Sequence, residues 1–239
     1  GKIEFLPHPA GEVCRALPFC LFKDPAGKVV SLLFSVSCHP STVFSHEITA
    51  DFPGVAVEAL NRHFGTDGAI FLQGCGGDAK PRTNAVDNER WRHSEWSDVD
   101  AAGRMVAQEL ISRAGDAREV APELRLSLSE IDFPLRPAPD RSALESVNNL
   151  RQTPWAADML HRLDFFGRLP DRAPVALHAL RIGHGLRLIG FEAEMTAPTG
   201  RLILSAFPEG VTFPLGYTNG TQLYMPDDRQ LAEGGYEAE

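Results

Sequence analysis

The sequence predicts an α/β or α+β domain in which mixed β-sheets are flanked by helices. Apolar runs typical of buried strands occur at residues 29–36 and 186–189. Between such runs, apolar residues recur at helical spacing, as they do over residues 55–64. Strands and helices therefore follow one another in mixed order, which favours an α/β or α+β domain with mixed sheets.

In the first half of the chain, the elements follow from composition and spacing. The β-branched and apolar run at residues 29–36 predicts a strand covered on both faces. Gly65 supplies the end of the first helix, and polar residues at 97–100 cap the second. The predicted elements are strand 29–36, helix 55–64, strand 69–72, an ordered surface loop at 86–96 and a helix that reaches Arg113.

In the second half, the alternation of apolar and polar residues at 124–131 predicts a half-buried antiparallel strand, which a cluster of prolines ends. Residues 140–166 are mostly helical in pattern and broken near Pro154, so 140–170 is interpreted as an inserted helical cover segment. The remaining predicted elements are strands 176–183 and 186–190 in a hairpin, helix 196–207 and strand 211–218.

Composition and charge exclude several classes of function. The chain of 239 residues is 43% hydrophobic and 23% charged, as globular domains are. No apolar run approaches the roughly 20 residues of a membrane-spanning helix. The formal net charge of -9 opposes binding to nucleic acid or anionic lipid. The cysteines form no CxxC pair, which argues against a zinc ribbon or a thioredoxin-type site.

The chain is interpreted as a single domain over residues 1–239. It starts at Gly1 without an initiator Met and stops in an acidic segment that ends at Glu239. We therefore expect a fragment of a longer protein that lacks its N-terminal part. No secretion signal is visible at the N-terminus.

Three polar segments far apart in the sequence carry residues that can hold a metal ion. Two of them follow predicted strands, where side chains are held by a rigid sheet yet remain accessible. An imidazole, a carboxylate and a phenol suit a hard or borderline cation such as Zn²⁺. The glycine-rich loop 71–82 lets the backbone come close to whatever is bound. The segments are 37–42, 190–196 and 219–224, and the candidate ligands in them are His39, Glu194 and Tyr224.

Each candidate also has a simpler structural explanation. Glu194 can cap the helix that follows it, and Tyr224 can pack beside a turn. Their joint occurrence with His39 and the glycine-rich loop favours a metal site, and with it a small-molecule hydrolase. The loop itself lacks the P-loop pattern, because Ala79 and Pro81 stand where that pattern needs Gly and Ser or Thr. A Gly-x-Ser-x-Gly elbow is absent from the sequence.

The chain resembles the N-terminal catalytic domain of the neutral/alkaline non-lysosomal ceramidases. The resemblance runs from about Val29 to Tyr236, and it rests on the order of four motifs rather than on any one of them. The motifs are His39-Pro-Ser-Thr42, Gly77-Asp78-x-x-Pro81, Glu194-Met-Thr196 followed by Gly200-Arg201, and Gly216-Tyr-Thr-Asn-Gly220 leading to Tyr224 and Gly235-Tyr236-Glu237.

The resemblance implies an enzyme of lipid, in particular sphingolipid, metabolism. It would be a zinc-dependent hydrolase that cleaves the amide bond of a ceramide-like N-acyl substrate through metal-activated water, whose pKa zinc lowers toward about 7. By position, His39, Glu194 and Tyr224 match zinc ligands of the family. Tyr236 matches a second active-site tyrosine that can stabilise an oxyanion. A secreted or periplasmic location is implied, and a cytoplasmic one stays open.

Two features depart from the family pattern. The family supplies a further zinc-binding His from a His-Thr-His-Ser segment, which this sequence lacks, so the zinc site is incomplete as given. Lys80 stands where characterised ceramidases have Ser in Gly-Asp-x-Ser-Pro. An ammonium group cannot act as an acyl-accepting hydroxyl, but it can bind an anionic substrate group, stabilise developing negative charge or pair with a carboxylate.

The candidate site therefore has three groups of residues, and its substrate is a small molecule or a lipid amide. Two alternatives stay open. Lys80 in the serine position suits a non-catalytic binding scaffold, and basic residues beside the glycine-rich loop suit hydrolysis of an anionic sugar or phospho-compound. The candidates are Asp78, Lys80 and Tyr236 for catalysis, Gly76, Gly77 and Arg82 for substrate binding, and His39, Glu194 and Tyr224 for zinc.

Overall fold

The computed structural model describes residues 6–87, 89–151, 154–221, 223–234 and 237. The fold is α+β with mixed sheets, which confirms the predicted class. The chain divides into a larger unit, Gly1–Leu128 with Leu177–Glu239, and a smaller unit, Ser129–Ala176.

The strands in the described residues are β1 (Phe19–Lys23), β2 (Val29–Val36), β3 (Ala69–Gln73), β4 (Ala85–Val86), β5 (Arg90–Trp91), β6 (Leu124–Pro134), β7 (Arg172–Ile182), β8 (Leu186–Phe191), β9 (Glu194–Met195), β10 (Val211–Leu215) and β11 (Tyr224–Met225). The helices are α1 (Asp51–Phe64), α2 (Trp96–Arg113), α3 (Arg141–Arg151), α4 (Pro154–Phe166), α5 (Ala197–Ala206) and α6 (Asp228–Glu233).

A three-stranded sheet with the order β1-β2-β3 forms the first layer of the larger unit. β2 is antiparallel to β1 and parallel to β3. Because side chains alternate along β2, Leu32 and Phe34 share one face. They pack there against Ala56 and Leu60 of α1 and Leu110 of α2. The two helices thus cover one side of this sheet.

A four-stranded sheet has the order β10-β8-β7-β6, in which β10 is parallel to β8 and β7 is antiparallel to it. Leu33 and Leu72 of the first sheet pack against a cluster that contains Phe213 and Leu215 of this one. A bridge between Gly74 and Leu215 also joins the two sheets. The strands β2 and β3 therefore lie in the core of the larger unit, and the loops that follow them start from this packed region.

The smaller unit contains α3 and α4, which pack against each other. Its fully buried apolar residues among those described are Leu144, Ala156 and Val175, and Arg141 pairs with Asp164. The predicted helical segment falls within this unit, and its role as a cover stays a prediction. None of the helices in the described part of the chain is both long and apolar enough to cross a bilayer.

Several predicted boundaries differ from the structure. Helix α1 begins at Asp51, earlier than predicted, because the carboxylate of Asp51 accepts the N–H of Phe52 at 2.7 Å and Pro53 suits a first turn. The predicted loop at 86–96 is wrong in part, since it contains β5 and the start of α2. Short elements such as β1, β9, β11 and α6 were not predicted. Each is too short to show a periodic pattern of apolar residues.

We expect Gly103→Ala to destabilise the larger unit, because α1 and α2 leave no room for a methyl group there. A Cβ at Gly103 would lie 2.5 Å from Cβ of Val55 and 2.6 Å from the carbonyl oxygen of Phe52. Overpacking costs about 1–3 kcal/mol, against a gain in helix propensity of about 1 kcal/mol. Urea unfolding measures the difference. Gly115→Ala is the control, since nothing lies within 4 Å of a Cβ added at that position. Equal stability of the two variants would contradict the expectation.

Candidate active site

His39 lies in the loop that follows β2, and its backbone is tied to the glycine-rich loop. Its N–H donates to the carbonyl oxygen of Ala79 at 2.9 Å. Its Nε2 atom lies 3.2 Å from the carbonyl oxygen of Gly77 and 3.1 Å from Oε1 of Glu194. The imidazole is 27% exposed and the Glu194 side chain 17%. The structure therefore brings two of the predicted zinc ligands together in a partly buried position.

Tyr224 lies next to Glu194 on a neighbouring strand. β9 and β11 are parallel, and Tyr224 is the register partner of Glu194. The N–H of Glu194 donates to the carbonyl oxygen of Leu223 at 2.8 Å. Register partners present their side chains on the same face of a sheet. The third predicted ligand thus stands beside the second.

Gly77 packs against both of these side chains. Its N–H donates to the carbonyl oxygen of Met195 at 2.9 Å. A Cβ at Gly77 would lie 2.9 Å from Cγ of Glu194 and 3.2 Å from Cε1 of Tyr224. At Gly76, a Cβ would lie 2.4 Å from the backbone nitrogen of Cys38. Both glycines are buried, and they are needed for close approach of the loop to the predicted ligands.

Asp78 holds the glycine-rich loop to the start of α5. Its Oδ1 accepts the N–H of Ala197 at 2.8 Å, and its Oδ2 accepts a hydrogen bond from Nε2 of Gln230 at 2.9 Å. Burial raises the pKa of the Asp78 carboxyl, and these two hydrogen bonds offset the rise only in part. In this arrangement, Asp78 acts as a helix cap with both oxygens engaged.

Lys80 and Arg82 are exposed at the end of the same loop. The Lys80 ammonium lies over the Trp91 ring, 5.6 Å from its centroid, as in a cation–π contact. Arg82 begins a 3₁₀ turn that ends at Asn84. Tyr236, the remaining predicted catalytic residue, lies outside the described residues.

The sequence did not indicate that Asp51 and Asn84 hold the loop that carries His39. The buried Asp51 carboxylate accepts the N–H and the hydroxyl of Thr42 at 2.9 and 2.5 Å. Asn84 donates through Nδ2 to the carbonyl oxygens of Ser41 and Thr42 at 3.1 and 2.9 Å. The one signal in the sequence was an Asp just before a Pro-Gly helix start. It indicated a cap, but not the long-range contact.

The donor set suits a divalent cation. Oε1 of Glu194 is buried, and no hydrogen bond of acceptable geometry reaches it from the described residues. An unprotonated Nε2 of His39 would face the lone pairs of this oxygen, so a cation between them would remove a repulsion. Two ligands about 2.0–2.1 Å from a tetrahedral zinc lie about 3.3 Å apart, close to the observed 3.1 Å.

The described residues contain no group of three His, Cys, Asp or Glu side chains that could hold a metal. Within those residues, a metal site at this position would combine His39 and Glu194 with a ligand of another kind, such as a phenol. Tyr224 is the phenol in register with Glu194. These residues fit a zinc ion as a partial ligand set.

Comparison with known proteins establishes the fold. The chain is similar to neutral ceramidase from Pseudomonas aeruginosa, with a TM-score of 0.65 and 19% identity over 92% of this chain and 42% of that one. It is also similar to a structure of ceramidase complexed with C2, with a TM-score of 0.65 and 17% identity over 92% and 43% of the two chains. The chain thus spans less than half the length of these proteins. No protein-family model and no curated protein matches its sequence.

We expect Asp78→Asn to change the pH dependence of stability in a defined direction. Because the native Asp78 carboxyl binds its proton more tightly than the unfolded chain does, its contribution to stability is fully present below the ordinary pKa of 3.8. That contribution is lost as the pH rises through the raised native pKa. The stability of wild type relative to Asp78→Asn should therefore fall as the pH rises above the ordinary pKa of 3.8 and through the raised native value.

The control for this measurement is Asp98→Asn. For this residue the stability of wild type relative to the variant should change with pH in the opposite direction. The N–H of Glu95 and the guanidinium of Arg92 lower the pKa of Asp98, so its contribution is lost as the pH falls through the lowered value. Urea unfolding at several pH values gives both differences. Slopes of the same sign for the two variants would contradict the assignment of Asp78 as a desolvated carboxyl.

Proposed function

We propose that this chain carries part of the active site of a zinc-dependent hydrolase that cleaves the amide bond of a ceramide-like N-acyl lipid. One observation carries the proposal: Nε2 of His39 lies 3.1 Å from the buried Oε1 of Glu194, with Tyr224 in register beside it. The fold shared with neutral ceramidase supports the choice of reaction.

In this proposal His39, Glu194 and Tyr224 hold the metal, together with the further His that the family resemblance implies. Bound zinc supplies Lewis acidity, which polarises the scissile carbonyl and lowers the pKa of water. Glu194 contributes a negative charge that is only partly exposed to water, so its attraction for a cation is stronger than at the surface. Tyr236 is assigned the stabilisation of the oxyanion, as the family resemblance implies.

Residues of the glycine-rich loop have supporting roles in the same proposal. Gly76 and Gly77 let the loop backbone approach the ligands, and Asp78 fixes the loop to α5. Asp78 is accordingly proposed as a positioning residue. Arg82 is proposed to contact substrate, since it is exposed on the same segment.

Lys80 supports a second candidate function, hydrolysis of an anionic substrate by the same metal site. It follows Ala79, whose carbonyl oxygen accepts the N–H of His39 at 2.9 Å. The Lys80 ammonium is exposed and adjoins a residue that is hydrogen-bonded to His39. At this position it can attract a carboxylate or phosphate on the substrate. An anionic N-acyl compound is therefore the competing substrate class.

Replacement of Glu194 tests the metal-binding proposal. In the longest natural protein that contains this chain, we expect about one zinc per chain by elemental analysis. Glu194→Gln should weaken zinc binding by more than the about 10–100-fold that loss of an outer-shell partner costs, and activity on N-acyl substrates should fall with it. Glu209→Gln, at an exposed site, is the control.

Two results would count against this proposal. Unchanged zinc content in Glu194→Gln would remove Glu194 from the ligands. Absence of zinc from the wild-type protein, together with no turnover of a broad N-acyl panel, would favour the non-catalytic scaffold.

Replacement of Lys80 separates the two substrate classes. If the substrate is anionic, Lys80→Met should lower kcat/KM about tenfold for anionic N-acyl compounds, a loss of about 1.4 kcal/mol, and leave neutral ones unchanged. Lys28→Met, which removes an exposed lysine in the turn between β1 and β2, is the charge-matched control. An equal effect of Lys80→Met on both classes would overturn the anionic candidate.

A further inference from the structure

We propose that Gln230 positions the metal-binding segments, through one side-chain amide that ties them together. This inference rests on the function proposed above. Gln230 lies on the short helix α6, and neither the family motifs nor the predicted site included it. Its side chain bonds to two segments far apart in the sequence, at Asp78 and at Thr196.

The Gln230 amide makes hydrogen bonds on both sides. Its Nε2 donates to Oδ2 of Asp78 at 2.9 Å. Its Oε1 accepts the hydroxyl of Thr196 at 2.9 Å and the N–H of Asp227 at 3.0 Å. An amide offers two donor hydrogens and two acceptor lone pairs, so both lone pairs of the oxygen are used. These bonds fix which way the amide faces.

Each partner of the amide leads to a candidate ligand. Asp78 follows Gly77, whose carbonyl oxygen lies 3.2 Å from Nε2 of His39. Thr196 follows the β9 strand that carries Glu194. β9 in turn pairs in parallel with β11, the strand that carries Tyr224.

The hydroxyl of Thr196 also lies 3.2 Å from the carbonyl oxygen of Met225, the residue that follows Tyr224, but its single proton is donated to Gln230, so this is a close contact and not a second hydrogen bond. Thr196 itself is fully buried. The Gln230 amide therefore connects, through Asp78 and Thr196, the glycine-rich loop to the end of β9, whose partner strand β11 carries Tyr224. Loss of this amide would release the segments at one point.

A glutamine is the side chain that these partners require. The half-buried Asp78 carboxylate is partly removed from water and needs donors, which Ala197 and Gln230 supply. A glutamate at 230 would instead place a second carboxylate against it. An asparagine would be one methylene too short to span the same partners. The position of the amide is set by α6, where the Asp227 carboxylate accepts the N–H of Gln230 at 2.8 Å.

The first test compares Gln230→Met with two variants of the same helix in the longest natural protein that contains this chain. Asp227→Ala removes the helix cap but keeps the amide, and Arg229→Met changes an exposed side chain. The zinc dissociation constant is measured by competition with a chromophoric chelator, alongside kcat and KM.

We expect Gln230→Met to weaken zinc binding about 10–100-fold and to lower kcat more than it raises KM. Asp227→Ala should have a smaller effect, and Arg229→Met none. Unchanged zinc affinity in Gln230→Met would overturn the inference. So would an equal loss in Asp227→Ala, because the effect would then come from fraying of α6.

A charge exchange provides a stricter test. Gln230→Glu alone should weaken zinc binding, because two carboxylates would meet. Adding Asp78→Asn restores one donor, since the amide introduced at position 78 can donate to the new carboxylate while its oxygen still accepts the N–H of Ala197. The double variant should recover most of the lost affinity. A double variant as weak as Gln230→Glu, or weaker, would contradict the proposed tie.

The inference can fail separately from the proposed function. If the wild-type protein holds no zinc, the proposed function fails. The metal-free protein still decides the role of Gln230 through the NMR signals of the His39 ring and the Glu194 amide. We expect Gln230→Met, but not Arg229→Met, to shift them. Unshifted signals would overturn the inference even if the protein binds zinc.

Discussion

The candidate site depends on the close approach that Gly77 allows. A side chain at this position would meet Cγ of Glu194 at 2.9 Å, so the glycine-rich loop could not remain bonded to Met195 with Glu194 in place. The same approach brings the carbonyl oxygen of Gly77 to His39. Two strand-end loops and the β9–β11 pair thus meet around one residue that has no side chain. Its missing Cβ is a requirement of packing, and the ligand geometry follows from it.

Two carboxylates, Asp51, which is buried, and Asp78, which is half-buried, hold the loops in place. Asp51 is 4% exposed and accepts hydrogen bonds from Thr42 and Phe52, while Asp78 accepts them from Ala197 and Gln230. Carboxylates that accept N–H and O–H groups are satisfied without an arginine or lysine partner. Glu194 differs from both, because its buried oxygen accepts no hydrogen bond from the described residues. A bound cation of the kind proposed above would satisfy that oxygen.

The sequence carried enough information for the frame of the fold and for the individual candidate ligands. The apolar run of β2 has the bounds that its composition predicts, and His39 and Glu194 were identified because both follow strands. The pairing of Tyr224 with Glu194 could not be predicted, since β9 and β11 are two residues long and show no period. The bond between Asp78 and Gln230 joins residues 152 positions apart, a separation at which local patterns carry no signal.

Lys80 lies beside the buried contacts of the glycine-rich loop without taking part in those that hold the loop to His39 and α5. The loop is fixed by the carboxylate of Asp78 and by the carbonyl oxygen of Ala79, neither of which depends on the side chain that follows. The residue at position 80 is exposed, so a serine and a lysine fit there without altering the buried contacts. A hydroxyl and an ammonium group differ in charge and reach. Under the function proposed above, exchange at this one position would alter substrate choice while the packing around Gly77 keeps the candidate ligands together.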